Sequence, residues 1–407
     1  LRDLLRLAEM HETTRALSDL ADVCLETAIR VARADVVTLY GKPRFRGEDG
    51  RYRACEFAVI ALGKHGGQEL NFSSDIDLLF IYSSDEGGTT GIPGIGESRQ
   101  NRISNNEFHT RLARRLIALM SENTEEGHVF RVDTRLRPEG GQGALAHSLS
   151  SCRVYYESWG ETWERQALIK ARPAAGSAPL GIAFIDLVQP FIYRRTLDMS
   201  ALDEIARIKE RINRNLTARG SGVSNVKLGE GGIREIEFIV QAFQLIYGGK
   251  ESFLRNSNTL QAISRIESLG FLPMPDCRDL AAAYVFFRDV EHRIQVTHGL
   301  QTHEIPTGPR GLAVLSRKMG FREVGEKEDI EAFQETLTRH QTCVIRVFDN
   351  LFRNRSGKKT SLPSSFTESS LPSAETYEDS LSPPDLVPYN FADPAAASEQ
   401  LRLLRNG

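Results

Sequence analysis

Three aspartates have the residue type and spacing to hold a metal ion. Asp75 and Asp77 stand two residues apart in SSDIDLLFIY, and side chains at i and i+2 of a strand point to the same face. Asp133 lies in a later strand-like stretch, VFRVDTRLRP. Magnesium takes oxygen ligands and completes its shell with water and phosphate oxygens. The acids therefore predict a two-metal site for displacement at phosphorus. The alternative is a solvated pair of strand-edge acids.

A glycine-containing turn, GKHGG, comes shortly before the first acid pair. Gly66 and Gly67 would let the backbone approach a ligand closely, and Ser74 adds a hydroxyl donor. This pattern predicts a cradle for nucleotide phosphates. Lys64 has two interpretations: it either forms a salt bridge at the rim of the site or reaches the phosphates.

Two arginines follow the third aspartate at alternate positions. Arg135 and Arg137 would share a strand face with Asp133, where their guanidinium groups could bind phosphate oxygens in pairs. An ion pair with Glu139 or Glu164 is the competing interpretation.

Two later segments supply further candidate cations. WERQALIKAR contains Lys170, a phosphate candidate, and Trp163, which we expect in the core. In GEGGIREIEFIVQAFQLIYGG, helical spacing places Arg234, Glu237 and Gln241 on one polar stripe beside a buried apolar stripe. That polar stripe either faces solvent or faces the active-site cleft with Arg234 toward phosphate.

Short apolar runs and one helix must position the acids. EFAVIALG (56–63), IDLLFIYS (76–83) and HVFRVDTRLRP (128–138) are typical of strands, and residues 104–122 predict a helix with Ser104 as its N-cap. Strands with an intervening helix indicate an α+β domain built on a mixed sheet.

From about residue 180 the pattern becomes helical and predicts an all-α bundle. The predicted helices cover residues 200–217, 231–247, 257–268, 277–298 and 327–353. A stretch rich in Ser, Pro and Thr follows and is typical of a linker. The predicted organisation is a helical lead-in (1–40), a catalytic domain (41–178), a helical bundle (179–354), a disordered linker (355–390) and the start of a further helical segment (391–407).

Composition narrows the function classes. With 51 Lys and Arg against 54 Asp and Glu, the net charge is −3, which argues against a nucleic-acid partner. Five scattered cysteines without a C-x-x-C pair predict neither disulfides nor zinc and favour a reducing cytoplasm. No apolar run is long enough to span a membrane. Because the chain begins with Leu1 rather than Met, we expect a piece of a longer protein.

The acid block resembles the polymerase-beta-like nucleotidyltransferase superfamily. Further blocks narrow the resemblance to the bacterial bifunctional glutamine synthetase adenylyltransferase/adenylyl-removing enzymes, over roughly residues 1–350. These blocks are LGKHGGQELNFSSDIDLLFIY, FRVDTRLRPEGGQGAL, YYESWGETWERQALIKARPAAGS, FIYRRTLD and NVKLGEGGIREIEFIVQAFQLIYGG. Departures at His65, Pro173 and Ser177 leave the three aspartates intact.

The resemblance implies a specific chemistry. One half of such enzymes removes AMP from adenylylated glutamine synthetase with phosphate, giving ADP, and the other attaches AMP from ATP. The block wording resembles the removing, amino-terminal half, with Asp75, Asp77 and Asp133 as ligands of Mg²⁺ and the PII signalling protein as a partner. Three alternatives remain open: ATP-dependent attachment, a catalytically silent regulatory scaffold, and a nucleotidyltransferase acting on RNA or a small molecule.

Overall fold

A computed structural model describes residues 2–352, except residues 4, 6, 96–97, 196–202, 204, 211–224, 299–301 and 323–325. The predicted linker (355–390) and the predicted further segment (391–407) lie outside the described residues, so they stay predictions. Most of the predicted helix at 200–217 is also outside them, although residues 205–210 are helical.

A five-stranded mixed sheet carries the predicted acids. Its strands are β3 (Phe57–Leu62), β4 (Ile76–Tyr82), β8 (Val132–Asp133), β9 (Ala146–Ser148) and β10 (Arg172–Gly176), with β10, β3, β4 and β8 in that order and β9 also on β4. β3 runs antiparallel to β4, while β8 and β9 run parallel to it. Every residue of β3 is buried, as expected of an apolar run covered on both faces.

Two helices cover one face of the sheet and a third covers the other. α1 (Met10–Tyr40) and α3 (Asn105–Ser121) pack on each other and share an apolar core with β3 and β4. α6 (Ala178–Ile192) contacts β3, β4 and β10. Ser104 caps α3 as predicted, with its hydroxyl accepting the Glu107 N–H at 3.1 Å.

Shorter elements complete this half. The strands β1 (Pro43–Arg46), β2 (Tyr52–Ala54) and β5 (Gly88–Thr89) form a small sheet, and β6 (Ile92–Pro93) pairs with β7 (Arg99–Gln100). The remaining helices here are α2 (Gly63–Gly66), α4 (Leu149–Ser158) and α5 (Thr162–Leu168), with a 3-10 turn at Gly140–Gln142.

The third predicted strand is much shorter than expected. Residues 128–138 were predicted to be extended, but only Val132 and Asp133 pair with β4. The chain turns directly afterwards, because the Asp133 carboxylate accepts the backbone N–H of Arg135 at 2.8 Å. Such a turn, in which a side chain caps a nearby N–H, competes with strand pairing. Arg135 and Arg137 therefore do not continue a strand face with Asp133.

The second half is helical. It contains α7 (Ile233–Tyr247), α8 (Thr259–Ser268), α9 (Met274–His298), α10 (Pro309–Lys318) and α11 (Glu326–Phe352), with a 3-10 turn at Ser252–Leu254. α10 was not predicted, whereas the other four match predicted helices within a few residues. α9 packs against α8 and α11 and also contacts α1. A mixed sheet followed by helices confirms the predicted fold class. No described helix is long and apolar enough to cross a membrane.

Candidate active site

The sheet brings two of the predicted acids side by side. Asp77 on β4 and Asp133 on β8 are direct partners in the parallel register, so their side chains leave the same face of the sheet. Asp75 lies one residue before β4 begins, two positions from Asp77. Gly63, the first residue of α2, packs directly against Asp77. A Cβ at Gly63 would lie 2.2 Å from the Asp77 Oδ2, so no larger residue fits there without a shift of Asp77. Gly63 is thus a site residue that the motif analysis missed.

The electrostatics of the acids differ from one to the next. Burial raises the pKa of Asp77 to about 6, and repulsion from Asp133 and Asp75 adds to this effect. The pKa of Asp133 is lowered, chiefly by hydrogen bonds from Arg135. Asp75 accepts a hydrogen bond from Arg131 Nε at 2.6 Å. The central acid therefore carries an electrostatic cost, whereas each of its two neighbours is paired with an arginine.

The donor set fits a hard divalent cation. Asp75, Asp77 and Asp133 supply carboxylate oxygens, and the buried hydroxyl of Ser74 has no hydrogen-bond partner among the described residues. A cation among these groups would relieve the repulsion that raises the pKa of Asp77. Arg131 holds Asp75 and Arg135 holds Asp133. As a result, the oxygens of the three carboxylates do not all lie within 4.8 Å of one another. Ligation would require Arg131 and Arg135 to give way.

The predicted phosphate cradle has a second structural purpose. A Cβ on Gly66 would lie 1.9 Å from the Lys170 carbonyl oxygen, and one on Gly67 would lie 2.9 Å from the Ser257 carbonyl oxygen. Close packing against neighbouring backbone therefore requires both glycines, whether or not phosphate binds there. Between them and Lys64, His65 is fully buried, with its Nε2 2.7 Å from Asp22 of α1. The core thus anchors this turn.

The two predicted lysine candidates are both paired, in different surroundings. Lys170 Nζ lies 2.6 Å from Glu69, 3.2 Å from Glu237 and 3.2 Å from Thr259 Oγ1, which uses all three of its donors. Binding of phosphate by Lys170 would require the loss of these contacts. Lys64 forms the predicted salt bridge, 2.8 Å from Glu291, but in the interior rather than at a rim.

The two arginines after Asp133 have separate environments. The Arg135 side chain is 80 % exposed and pairs with Asp133 itself, rather than with Glu139 or Glu164. Arg137 is buried and donates to the carbonyl oxygens of four residues of its own loop: Thr134, Gly141, Gly143 and Ala144. Arg137 therefore closes this loop, while Arg135 is open to solvent and to an incoming anion.

The polar stripe of α7 faces the interior rather than solvent. Glu237 contacts Lys170, and Gln241 accepts a hydrogen bond from Gln166 of α5 at 3.3 Å. Arg234 is largely buried, which lowers its pKa, and its guanidinium makes no hydrogen bond or ion pair with any described residue. The predicted core residue Trp163 is only half-buried, with its Nε1 donating to Glu161 at 2.7 Å.

Lys227 is a cation that the sequence motifs did not single out. It precedes α7 in the loop NVKLGEGG, where its carbonyl accepts the Arg234 N–H at 3.1 Å. Its charge favours the ionised form of Asp77 more strongly than Lys64 does, and it also acts on Glu237. The Lys227 ammonium makes no hydrogen bond or ion pair with any described residue. In the sequence, the only sign of a role for Lys227 was its place in the glycine-rich block NVKLGEGG.

Comparison with known proteins yields two family matches. Residues 1–186 match the family described as glutamate-ammonia ligase adenylyltransferase, and residues 204–352 match the family described as GlnD PII-uridylyltransferase. Together these matches cover both the sheet and the helical half.

Bacterial relatives named bifunctional glutamine synthetase adenylyltransferase/adenylyl-removing enzyme align with most of the chain. The Nitrosococcus oceani protein is 41 % identical over 353 residues, which are 86 % of this chain and 34 % of that protein. The Hahella chejuensis protein is 38 % identical over 356 residues, which are 87 % of this chain and 35 % of that protein. The Burkholderia pseudomallei protein is 39 % identical over 363 residues, which are 87 % of this chain and 37 % of that protein. The chain spans about a third of the length of these relatives.

The mixed sheet, its acids and the family match over residues 1–186 resemble those of nucleotidyltransferases, a class that generally uses a divalent metal. Within that class, the chain is related to the bifunctional glutamine synthetase adenylyltransferase/adenylyl-removing enzymes. The resemblance predicted from the sequence blocks is thereby confirmed.

Proposed function

We propose that this chain is the amino-terminal, adenylyl-removing part of such an enzyme and removes AMP from adenylylated glutamine synthetase by phosphorolysis. The observation that carries this proposal is the pairing of Asp77 and Asp133 in adjacent strands, together with Lys227 and Arg234, whose charged groups pair with no described residue. This arrangement offers acids for a metal and positive charge for a second phosphate. The choice of removal over attachment rests on the wording of the sequence blocks ELNFSSDIDLLF and GGIREIEFIVQ.

The proposed reaction is a displacement at phosphorus. An oxygen of inorganic phosphate attacks the phosphorus of the AMP group, the bond from that phosphorus to the tyrosyl oxygen breaks, and ADP forms. The tyrosyl oxygen leaves with the bonding electron pair and takes up a proton. The protein's task is to position two anions and offset their repulsion, so no covalent enzyme intermediate is needed.

Asp75, Asp77 and Asp133 would hold Mg²⁺, with the hydroxyl of Ser74 close by. When bound, the ion would neutralise charge on the phosphate oxygens. Magnesium is proposed because its preferred ligands are carboxylate and phosphate oxygens.

Basic side chains would neutralise the negative charge of the phosphate groups that the metal does not neutralise. Lys227 and Arg234 both act on Glu237, so we expect one anion to contact both, and Arg135 could leave Asp133 once a cation replaces it. Lys64, Gly66 and Gly67 follow Gly63, which packs against Asp77, and they stay predicted phosphate contacts. Lys170 and Arg137 are assigned to packing in this proposal, because their donors already have partners.

Adenylylated glutamine synthetase is the proposed protein substrate, since the relatives' name includes glutamine synthetase. The PII signalling protein stays a proposed partner, suggested by the family resemblance.

The test is incubation of the purified chain with adenylylated glutamine synthetase, Mg²⁺ and phosphate, following ADP release. ADP that requires phosphate and disappears in Asp75→Asn would support the proposal. Asp49→Asn is the matched control, because this exposed aspartate lies in the turn between β1 and β2. Transfer of AMP from ATP to unmodified synthetase would instead identify the attaching activity. Absence of both reactions would favour a regulatory scaffold.

A further inference from the structure

One buried carboxylate of the helical half contacts two cations, Lys64 and Arg288, and one histidine, His303. Glu291 of α9 has no exposed surface, and its Oε1 lies 2.8 Å from both Lys64 Nζ and His303 Nδ1. Its Oε2 lies 3.2 Å from Arg288 Nε. A buried carboxylate is tolerated when cations surround it, so this group holds several segments in a fixed arrangement.

Each of these three partners of Glu291 lies in or contacts a different segment beside the acid site. Lys64 follows Gly63, the residue packed against Asp77. The His303 carbonyl accepts the Val226 N–H at 2.9 Å and so anchors the residue before Lys227.

The third partner, Arg288, contacts the loop that precedes Asp75 and Asp77. Arg288 donates to Asn71 Oδ1 and to the Glu69 carbonyl oxygen, and both acceptors lie in the segment that leads to Asp75. Glu291 therefore touches no acid of the site, yet it connects to all three segments that frame them.

We propose that Glu291 is a positioning residue that fixes Lys64 and the loop of Lys227 opposite the acids, so that both cations can bind the attacking phosphate. This inference rests on the proposed function, because it assigns the second anion of that reaction. It makes the helical half a structural part of the phosphate site rather than a separate support.

A pH dependence follows from the surroundings of Lys64. Burial, together with the charges of Lys227 and Arg288, lowers the pKa of Lys64 to about 7, although the Glu291 carboxylate opposes this shift. Lys64 also interacts with Asp77 and Glu237. It is therefore charged below about pH 7 and loses its charge as the pH rises through that value. Removing the Glu291 charge would shift this loss to lower pH.

The test measures the KM for phosphate and kcat of the full chain from about pH 6 to pH 9, for Glu291→Gln and Glu291→Asp. We expect Glu291→Gln to raise the phosphate KM at least about tenfold near neutral pH, the effect of one unit of pKa. Its alkaline loss of activity should begin at lower pH, with a smaller change in kcat. Glu291→Asp should restore part of the affinity. Adding Lys64→Arg to Glu291→Gln should flatten the alkaline limb, because arginine stays charged.

Glu235→Gln provides the matched control. Glu235 is similarly buried and lies 2.9 Å from Lys209, with no contact to the acid site. This variant should lower thermal stability without changing the phosphate KM or the pH profile. An unchanged phosphate KM and pH profile in Glu291→Gln would overturn the inference. An equal rise of KM in the control would also overturn it, since Glu291 would then act only through stability.

A binding measurement separates this inference from the proposed reaction. If the unaltered chain releases no ADP, the phosphorolysis proposal fails, but ADP with Mg²⁺ can still be titrated calorimetrically. Glu291→Gln should then bind ADP at least about tenfold more weakly than the unaltered chain and the Glu235→Gln control. Equal ADP affinities would reject the positioning role independently of turnover.

Discussion

Two buried lysines, Lys64 in α2 and Lys170 just after α5, show how the same residue type serves different purposes. Lys170 lies between Glu69 and Glu237, where these acids outweigh the effect of burial and raise its pKa. Lys64 has one close carboxylate, Glu291, and two cations nearby, so burial dominates and its pKa is lowered to about 7. The surroundings of Lys170 are balanced, whereas those of Lys64 carry an excess of positive charge.

This difference assigns a packing role to Lys170 and a functional role to Lys64. A balanced cluster, with every donor used, stabilises the contact between the sheet and α7. An excess of cations beside a cluster of acids is unfavourable until a ligand of the opposite charge arrives. Lys64 and Lys227 act on Asp77 in this way. The contrast predicts that variants of the acid site lower activity, while variants around Lys170 lower stability.

The largest expected effect is on activity. Asp77→Asn should reduce phosphorolysis by roughly a thousandfold, the upper range for loss of one preorganised electrostatic group. Its free energy of unfolding should not fall, because burial and Asp133 already oppose the Asp77 charge. ADP release and chemical denaturation of the same preparation measure the two quantities. A variant that loses both in parallel would contradict the contrast.

The largest expected effect on stability is at Lys170. Lys170→Met leaves Glu69 and Glu237 as uncompensated buried acids, and removal of one partner from a buried pair costs about 3 to 5 kcal/mol. Urea denaturation should show this loss. Adding Glu69→Gln and Glu237→Gln should recover part of it. An active-site role for Lys170 would be indicated instead if the phosphate KM rose in a variant of unchanged stability.

An intermediate effect on the KM for phosphate is expected at Lys227. Lys227→Met should raise the KM for phosphate about tenfold, in the range of one charge-assisted hydrogen bond. Lys227→Arg should retain most of the affinity. Stability should change by less than about 0.5 kcal/mol, since the ammonium has no partner among the described residues. Steady-state kinetics over a range of phosphate concentrations test this, and an unchanged KM would remove Lys227 from the site.

The smallest expected effect is at the exposed arginine. Arg135→Ala should change stability by less than about 1 kcal/mol, because solvent screens its pair with Asp133. The apparent affinity for Mg²⁺ should rise slightly, since Asp133 loses a competing cation. Titration of activity with Mg²⁺ measures this shift. A marked loss of affinity would show that Arg135 supports the metal site instead of competing with it.

Much of the candidate site could be predicted because the signals were local. The spacing of Asp75 and Asp77, the apolar runs beside them and the N-cap at Ser104 depend on neighbours within a few residues. The length of β8 could not be predicted in this way. Alternation from 128 to 138 favoured a strand, but the Asp133 side chain captures the Arg135 N–H and ends it. The polar stripe of α7 gave no sign that its partners lie on α5 and in the sheet half.

By itself, the sequence determined that acids spaced for one strand face stand beside apolar runs, and that helices follow. The residue order of its distinctive blocks also determined the resemblance to nucleotidyltransferases. Only the tertiary structure decided which cations are paired. Lys64 and Glu291 are 227 positions apart, and Lys170 and Glu69 are 101 apart, yet each pair lies within hydrogen-bond distance. The reason is physical: burial and charge act through space, so a lysine's role depends on which acids the fold places around it.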